Sequence, residues 1–167
     1  MSTNVNFGSE WFLPPPVVVI VMLVIGMAIG CFNSFFILKL NVNAFIVTLA
    51  TLLSLRGFTY VFTNANTMYD FPDSFIFLGG YSIGGTLPLS VILFISLFVL
   101  GQFVLTYTRF GRDLYAIGGN PEAAFAAGIR VGQRTLAAFI ISGMLGALAG
   151  WVLAGRLQAV TINLGQG

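Results

Sequence analysis

Residues 87–107 have the sequence LPLSVILFISLFVLGQFVLTY, which is a nearly continuous apolar run. It contains no Asp, Glu, Lys or Arg. A helix of about 20 apolar residues is long enough to cross the hydrocarbon core of a bilayer, which is about 30 Å thick. We therefore predict that residues 87–107 form a transmembrane helix.

The composition of the whole chain indicates the same environment. Hydrophobic residues make up 57% of the 167 residues, charged residues make up 7%, and the mean hydropathy is +0.97. A globular domain carries about 25% charged residues, so this chain has too few to cover a water-facing surface. Three further segments are long and apolar enough to span a bilayer, residues 17–38, 44–62 and 135–155. The predicted fold class is all-α: a polytopic transmembrane helical bundle with about four spanning helices, forming one domain over residues 1–167.

Five of the seven basic residues lie on one side of this predicted topology; Arg56 lies within the second span, and Arg156, at the outer end of the fourth, is a minor exception. Lys39 follows the first span, and the loop 108–134 after the third span carries four arginines, Arg109, Arg112, Arg130 and Arg134. Segments 1–13 and 64–86, on the other side, contain no Lys or Arg. Short loops rich in Lys and Arg remain in the cytoplasm. We therefore predict that the loop 108–134 is cytoplasmic.

Several function classes are excluded by residues that the sequence lacks. There is no His and only one Cys, Cys31, which rules out a His/Cys metal site and a His-based nucleophile–base pair. The phosphate-binding pattern GxxxxGK[ST] does not occur, and no two carboxylates share a predicted span. A net charge of +2 does not indicate a nucleic-acid partner. We predict no catalytic, cofactor-binding or metal-ligating residues, and a protein that is not an enzyme.

Within the loop, residues 120–128 (NPEAAFAAG) carry the marks of a short helix at both ends. Asn120 suits the N-cap and Pro121 the first helical position. Glu122 favours the positive end of the helix dipole, and Gly128 suits the position after the C-cap. Such a short helix is not stable alone in water. We expect the bundle, the bilayer surface or another protein to hold it.

The body of this predicted helix is rich in alanine: Ala123, Ala124, Ala126 and Ala127. Small side chains of this kind would leave a surface that fits a groove in a partner protein, with Phe125 as an anchor. We expect Ala124 to lie on that docking surface. The alternative is a helix that lies on lipid.

Polar residues in the first two predicted spans are candidates for a solute pathway: Asn33, Ser34, Thr48, Thr51 and Ser54. The same residues would also be satisfied by hydrogen bonds inside the bundle. Small residues repeat at four-residue spacing and predict close helix packing. They form one stripe in the first span and two in the fourth: Gly26 and Gly30; Ser142, Gly146 and Gly150; Gly143 and Ala147.

Three stretches resemble the membrane permeases of bacterial ABC sugar importers of the ribose, xylose, arabinose and galactose type. They are NAFIVTLATLLSLRG (43–57), TRFGRDLYAIGGNPEAAFAAGI (108–129) and SGMLGALAGWVLAGR (142–156). The most specific part is the pattern AIGGN-x-x-A-A-x-x-A-G-I. The resemblance implies a multi-pass protein of the bacterial inner membrane. It also implies that residues 120–128 form the coupling helix that docks on an ATPase.

The partners implied by the resemblance are cytoplasmic ABC ATPase subunits, a second permease copy or a sister permease, and a periplasmic sugar-binding protein. Permeases of this family are longer than this chain. An upstream region with a G-G-I-D-L-S-V-G-like motif is missing, and the chain stops at 165–167, where the family continues into another helix. We therefore expect a partial permease: a fragment, a truncated gene product or a degenerate copy.

Three hypotheses about function follow. The first is a permease subunit of an ABC importer for a monosaccharide. The second is a related permease for branched-chain amino acids or nucleosides. The third is a non-transporting membrane scaffold that binds its partners through the cytoplasmic loop.

Overall fold

The computed structural model describes residues 15–63, 68–69, 82–83, 87–157 and 159–160. Within these ranges the chain forms six helices: α1 Pro15–Lys39, α2 Ala44–Thr63, α3 Leu89–Tyr107, α4 Arg109–Gly119, α5 Pro121–Ala126 and α6 Val131–Leu157. It also forms four two-residue strands: β1 Met68–Tyr69, β2 Ser82–Ile83, β3 Leu87–Pro88 and β4 Ala159–Val160. Strand β1 pairs antiparallel with β4, and β2 pairs antiparallel with β3. The predicted segment 64–86 lies largely outside the described residues.

Four of these helices, α1, α2, α3 and α6, are long and apolar enough to cross a membrane. This confirms the predicted all-α fold class, a polytopic helical bundle. The fourth spanning helix is longer than predicted, because it begins at Val131 instead of residue 135. Most of the large apolar side chains on α2 and α3 are exposed, as expected for helices whose solvent is lipid.

The core of the fold is an antiparallel pair formed by α1 and α6. A Cβ atom added at Gly26 would lie 2.5 Å from the carbonyl oxygen of Gly143, and one added at Gly30 would collide with the carbonyl of Phe139. Moving from Gly26 to Gly30 along α1 corresponds to moving from Gly143 back to Phe139 along α6, so the two helices run in opposite directions. The backbones approach so closely only because these positions carry no side chain.

Only some of the predicted small-residue stripes are used in this packing. Gly26, Gly30 and Gly143 lie in the seam between α1 and α6. The stripe of Ser142, Gly146 and Gly150 is exposed, and a Cβ atom added at either of these two glycines would meet nothing within 4 Å. Helix α6 therefore packs the stripe of Gly143 and Ala147 against α1 and leaves the stripe of Ser142, Gly146 and Gly150 exposed.

The antiparallel pairing brings Lys39 and the four arginines of the loop 108–134 to one end of the bundle. Lys39 ends α1, and Val131 begins α6 at the same end. Helix α2 starts there after a four-residue turn in which Asn41 has a φ of 54°. Helix α3 finishes there as well, because α4 follows it directly and is bonded to the first turn of α6 by Arg134. This end of the bundle is called the basic end below.

Candidate functional site

Helix α5 is held at its N-terminus by the residues that the sequence predicts. Asn120 is the N-cap, and its Oδ1 atom accepts hydrogen bonds from the N–H groups of Glu122 and Ala123, both at 3.0 Å. Pro121 occupies the first helical position, and Glu122 lies in the first turn. These interactions satisfy two of the N–H groups that have no partner within the helix.

The C-terminus of α5 is closed by a glycine in the left-handed region. Gly128 has a φ of 83°, and its N–H group donates to the carbonyl of Phe125 at 2.9 Å. The N–H group of Ile129 donates to the carbonyl of Ala124 at 3.0 Å. This pair of bonds is the Schellman motif, which requires a residue with positive φ after the C-cap. The predicted caps at both ends are therefore present.

The faces of α5 differ from the expectation at one residue. Ala124 is only 4% exposed, so the prediction that its side chain lies on a docking surface is wrong. At this residue the Schellman motif turns the chain back, because the N–H group of the half-buried Ile129 is bonded to the carbonyl of Ala124. Phe125, in contrast, is 73% exposed. Together with Pro121, Glu122 and Val131 it lines a shallow groove, and these four residues are called the docking face below.

Helix α4, which sequence analysis did not predict, fixes the position of α5. The Nε atom of Arg134 in α6 lies 2.7 Å from Oδ2 of Asp113 in α4, and its guanidinium group lies 5.8 Å from the centre of the Phe110 ring. The two side chains of the ion pair are 39% and 23% exposed, so we expect the pair to contribute at most about 1 kcal/mol. Its main consequence is geometric, because it joins both elements that flank α5.

The pathway candidates are only partly brought together. The hydroxyl of Thr51 in α2 donates to Oδ1 of Asn33 in α1 at 2.6 Å. Thr48 instead bonds to its own helix, donating to the carbonyls of Ala44 and Phe45. Ser54 is exposed. Ser34 is fully buried, and its hydroxyl has no hydrogen-bond partner among the described residues.

The bond between Asn33 and Thr51 gives a test of how α1 and α2 are held together. We expect Thr51→Val to lower the free energy of unfolding by about 1 kcal/mol, because Asn33 would keep a part-buried amide oxygen without its donor. Titration of the purified protein with denaturing detergent measures this difference. Thr48→Val is the matched control, since its hydroxyl bonds only within α2. Equal losses for the two variants would contradict a specific link between the helices.

The chain is similar to known proteins along almost its whole length. Residues 2–167 match the family described as "Branched-chain amino acid transport system / permease component". The chain is 36% identical over 170 residues to the galactose/methyl galactoside import permease protein of Escherichia coli (strain K12), covering 98% of the chain and 51% of the relative. No solved structure matches the chain significantly.

Two other relatives are named for different sugars. The D-allose transport system permease protein of Escherichia coli (strain K12) is 37% identical over 145 residues, covering 87% of the chain and 44% of the relative. The ribose import permease protein of Haemophilus influenzae (strain ATCC 51907 / DSM 11121 / KW20 / Rd) is 35% identical over 158 residues, covering 92% and 48%. The chain thus spans about half the length of the curated relatives it matches. The resemblance to sugar-importer permeases is confirmed, and the chain belongs to the family of transport-system permease components that matches residues 2–167.

Proposed function

We propose that the chain is a transmembrane permease subunit of an ATP-binding-cassette importer that moves a monosaccharide across the bacterial inner membrane. A separate cytoplasmic ATPase supplies the energy. The support for a sugar comes from the relatives, whose names refer to galactose, allose, arabinose and ribose. The chain contributes no catalytic residue of its own in this proposal, and its sequence contains no P-loop pattern.

The observation that carries the proposal is the geometry of α5. This short helix is capped at both ends and stands at the basic end of the bundle. Ala124 on this helix is buried, whereas Phe125 is 73% exposed. An exposed aromatic side chain on a rigid helix is the kind of residue that anchors a protein interface. We assign the docking face to contact with the ATPase.

The orientation of the protein follows from the same end of the bundle. Lys39 and four arginines are gathered there, and such a bias places a loop in the cytoplasm. The ATPase therefore approaches the docking face from the cytoplasm. A periplasmic sugar-binding protein delivers the solute at the opposite end, and a second permease copy or a sister permease completes the pathway.

One observation favours a second candidate function. The description of the matching family names branched-chain amino acids, so an amino-acid importer is the main competitor for the solute class. The two candidates share the ATPase and the docking face. They differ only in what the binding protein carries.

The experiment that separates the candidates measures ATP hydrolysis. Proteoliposomes would contain this chain together with a candidate ABC ATPase and a candidate sugar-binding protein from the same organism. We expect hydrolysis to rise several-fold when the binding protein is loaded with galactose, ribose or another monosaccharide, and to stay basal with leucine. Stimulation by leucine alone would replace the sugar importer by the amino-acid importer. The absence of any bound ATPase would favour the membrane-scaffold alternative.

A further inference from the structure

The position of α4 relative to the membrane follows from a close backbone contact. Only Thr108 separates α4 from the end of the apolar helix α3. Gly111 is buried, and a Cβ atom added to it would collide with the carbonyl of Leu105, which belongs to the last turn of α3. Helix α4 therefore folds back against the end of a predicted span. The headgroup layer on each side of a bilayer is roughly 5–7 Å thick, so we expect the start of α4 to lie within it.

The two faces of α4 differ sharply in polarity. Phe110, Leu114 and Ile117 recur at helical spacing and are half-buried against the bundle. The other face carries Arg109 and Arg112, which lie three residues apart and are both exposed.

Aromatic residues flank these arginines. Tyr107 is 71% exposed and Tyr115 is 68% exposed. Tyrosines are enriched at the level of the lipid headgroups, because the ring is apolar and the hydroxyl is polar. Their positions before and after the two arginines are those of residues at a membrane–water interface.

The two arginines have no carboxylate partner among the described residues. The acidic residue of α4, Asp113, is already bonded to Arg134. An arginine side chain presents a planar fork of donors that matches phosphate oxygens. Two such groups on one exposed helix face, at headgroup depth, are complementary in charge and geometry to phosphate esters.

We propose that Arg109 and Arg112, flanked by Tyr107 and Tyr115, form a binding surface for the headgroup phosphates of anionic phospholipids. This surface is separate from the docking face on α5. The contact of Gly111 with Leu105 places the arginines beside the end of the span, which favours lipid over a cytoplasmic protein as the occupant. Bound lipid would hold α4 at the membrane surface and so fix the base from which α5 projects.

The test uses the purified chain in nanodiscs of phosphatidylcholine with a variable fraction of phosphatidylglycerol. Native mass spectrometry counts the phosphatidylglycerol molecules that remain bound. We expect the affinity to fall about fivefold for R112Q and about 25-fold for the double variant R109Q/R112Q. The double variant R109K/R112K keeps the charge but loses the fork, so we expect it to retain an intermediate affinity.

The matched control is R130Q, which removes an exposed arginine outside α4 and should change the affinity less than twofold. Circular dichroism verifies that each variant keeps its helix content. Unchanged binding by R109Q/R112Q, or an equal loss with R130Q, would overturn the proposal. The proposal would also be overturned if R109Q/R112Q kept its bound lipid but no longer bound the ATPase, because the surface would then belong to a protein interface.

Discussion

Gly143→Val is expected to lower the free energy of unfolding by about 3 kcal/mol, the upper end of the usual cost of overpacking. A Cβ atom at this position would lie 3.1 Å from the carbonyl carbon of Gly26, 3.2 Å from the backbone nitrogen of Gly30, and still closer to the Gly26 carbonyl oxygen. These neighbours are backbone atoms of a helix, so they cannot move aside as a flexible side chain would. The valine therefore forces α1 and α6 apart.

The matched control lies on the same helix, three residues further on. Gly146→Val makes the same chemical change, but a Cβ atom there would meet nothing within 4 Å. We expect the free energy of unfolding of this variant to lie within about 0.5 kcal/mol of that of the wild type. Detergent titration followed by circular dichroism measures both. If Gly143→Val is as stable as Gly146→Val, the packing of α1 against α6 through Gly26 and Gly30 is wrong.

Phe125→Ala is expected to weaken the binding of the ATPase at least about 30-fold, since truncating a central aromatic anchor costs about 2 kcal/mol or more. Phe125 is 73% exposed on α5, so its removal leaves the buried contacts of the chain intact. Biolayer interferometry with the chain in nanodiscs and the purified ATPase in solution measures the change. The thermal stability of the variant should be unchanged.

Phe94→Ala is the control for this prediction. Phe94 is 68% exposed, but it lies on the spanning helix α3 and is assigned to lipid. We expect this variant to bind the ATPase as the wild type does. Equal ATPase affinity for Phe125→Ala and the wild type would remove α5 from the interface, while an equal loss in both variants would indicate a non-specific effect of exposed aromatic side chains.

Much of this fold is predictable because its strongest determinants are local. A span requires only a sufficiently long apolar run, as in residues 87–107, and the caps of α5 depend on residues within one turn of it. The burial of Ala124 could not be predicted from its neighbours in sequence, because it depends on how α5 packs in the folded chain. Because the helix body contains several identical alanine side chains, the sequence does not indicate which of them is buried.

Helix α4 was missed for a different reason. Its polar face, with Arg109 and Arg112, resembles a solvated loop, and the apolar spacing of Phe110, Leu114 and Ile117 indicates a helix only when the segment is examined by itself. The ion pair between Asp113 and Arg134 joins residues that are far apart in the sequence, so no local sequence pattern predicts it. The pathway candidates show the same limit, since only the fold reveals that Asn33 meets Thr51.

Site-specific photocrosslinking is the sharpest test of whether the docking face contacts an ABC ATPase. p-Benzoylphenylalanine would replace Phe125 in membranes that contain the chain and a candidate ABC ATPase from the same organism, with the same replacement at Phe94 as the reference. We expect ultraviolet light to join position 125 to the ATPase subunit and position 94 to lipid. If position 125 crosslinks only to phospholipid while folded ATPase is present, the docking face does not contact the ATPase.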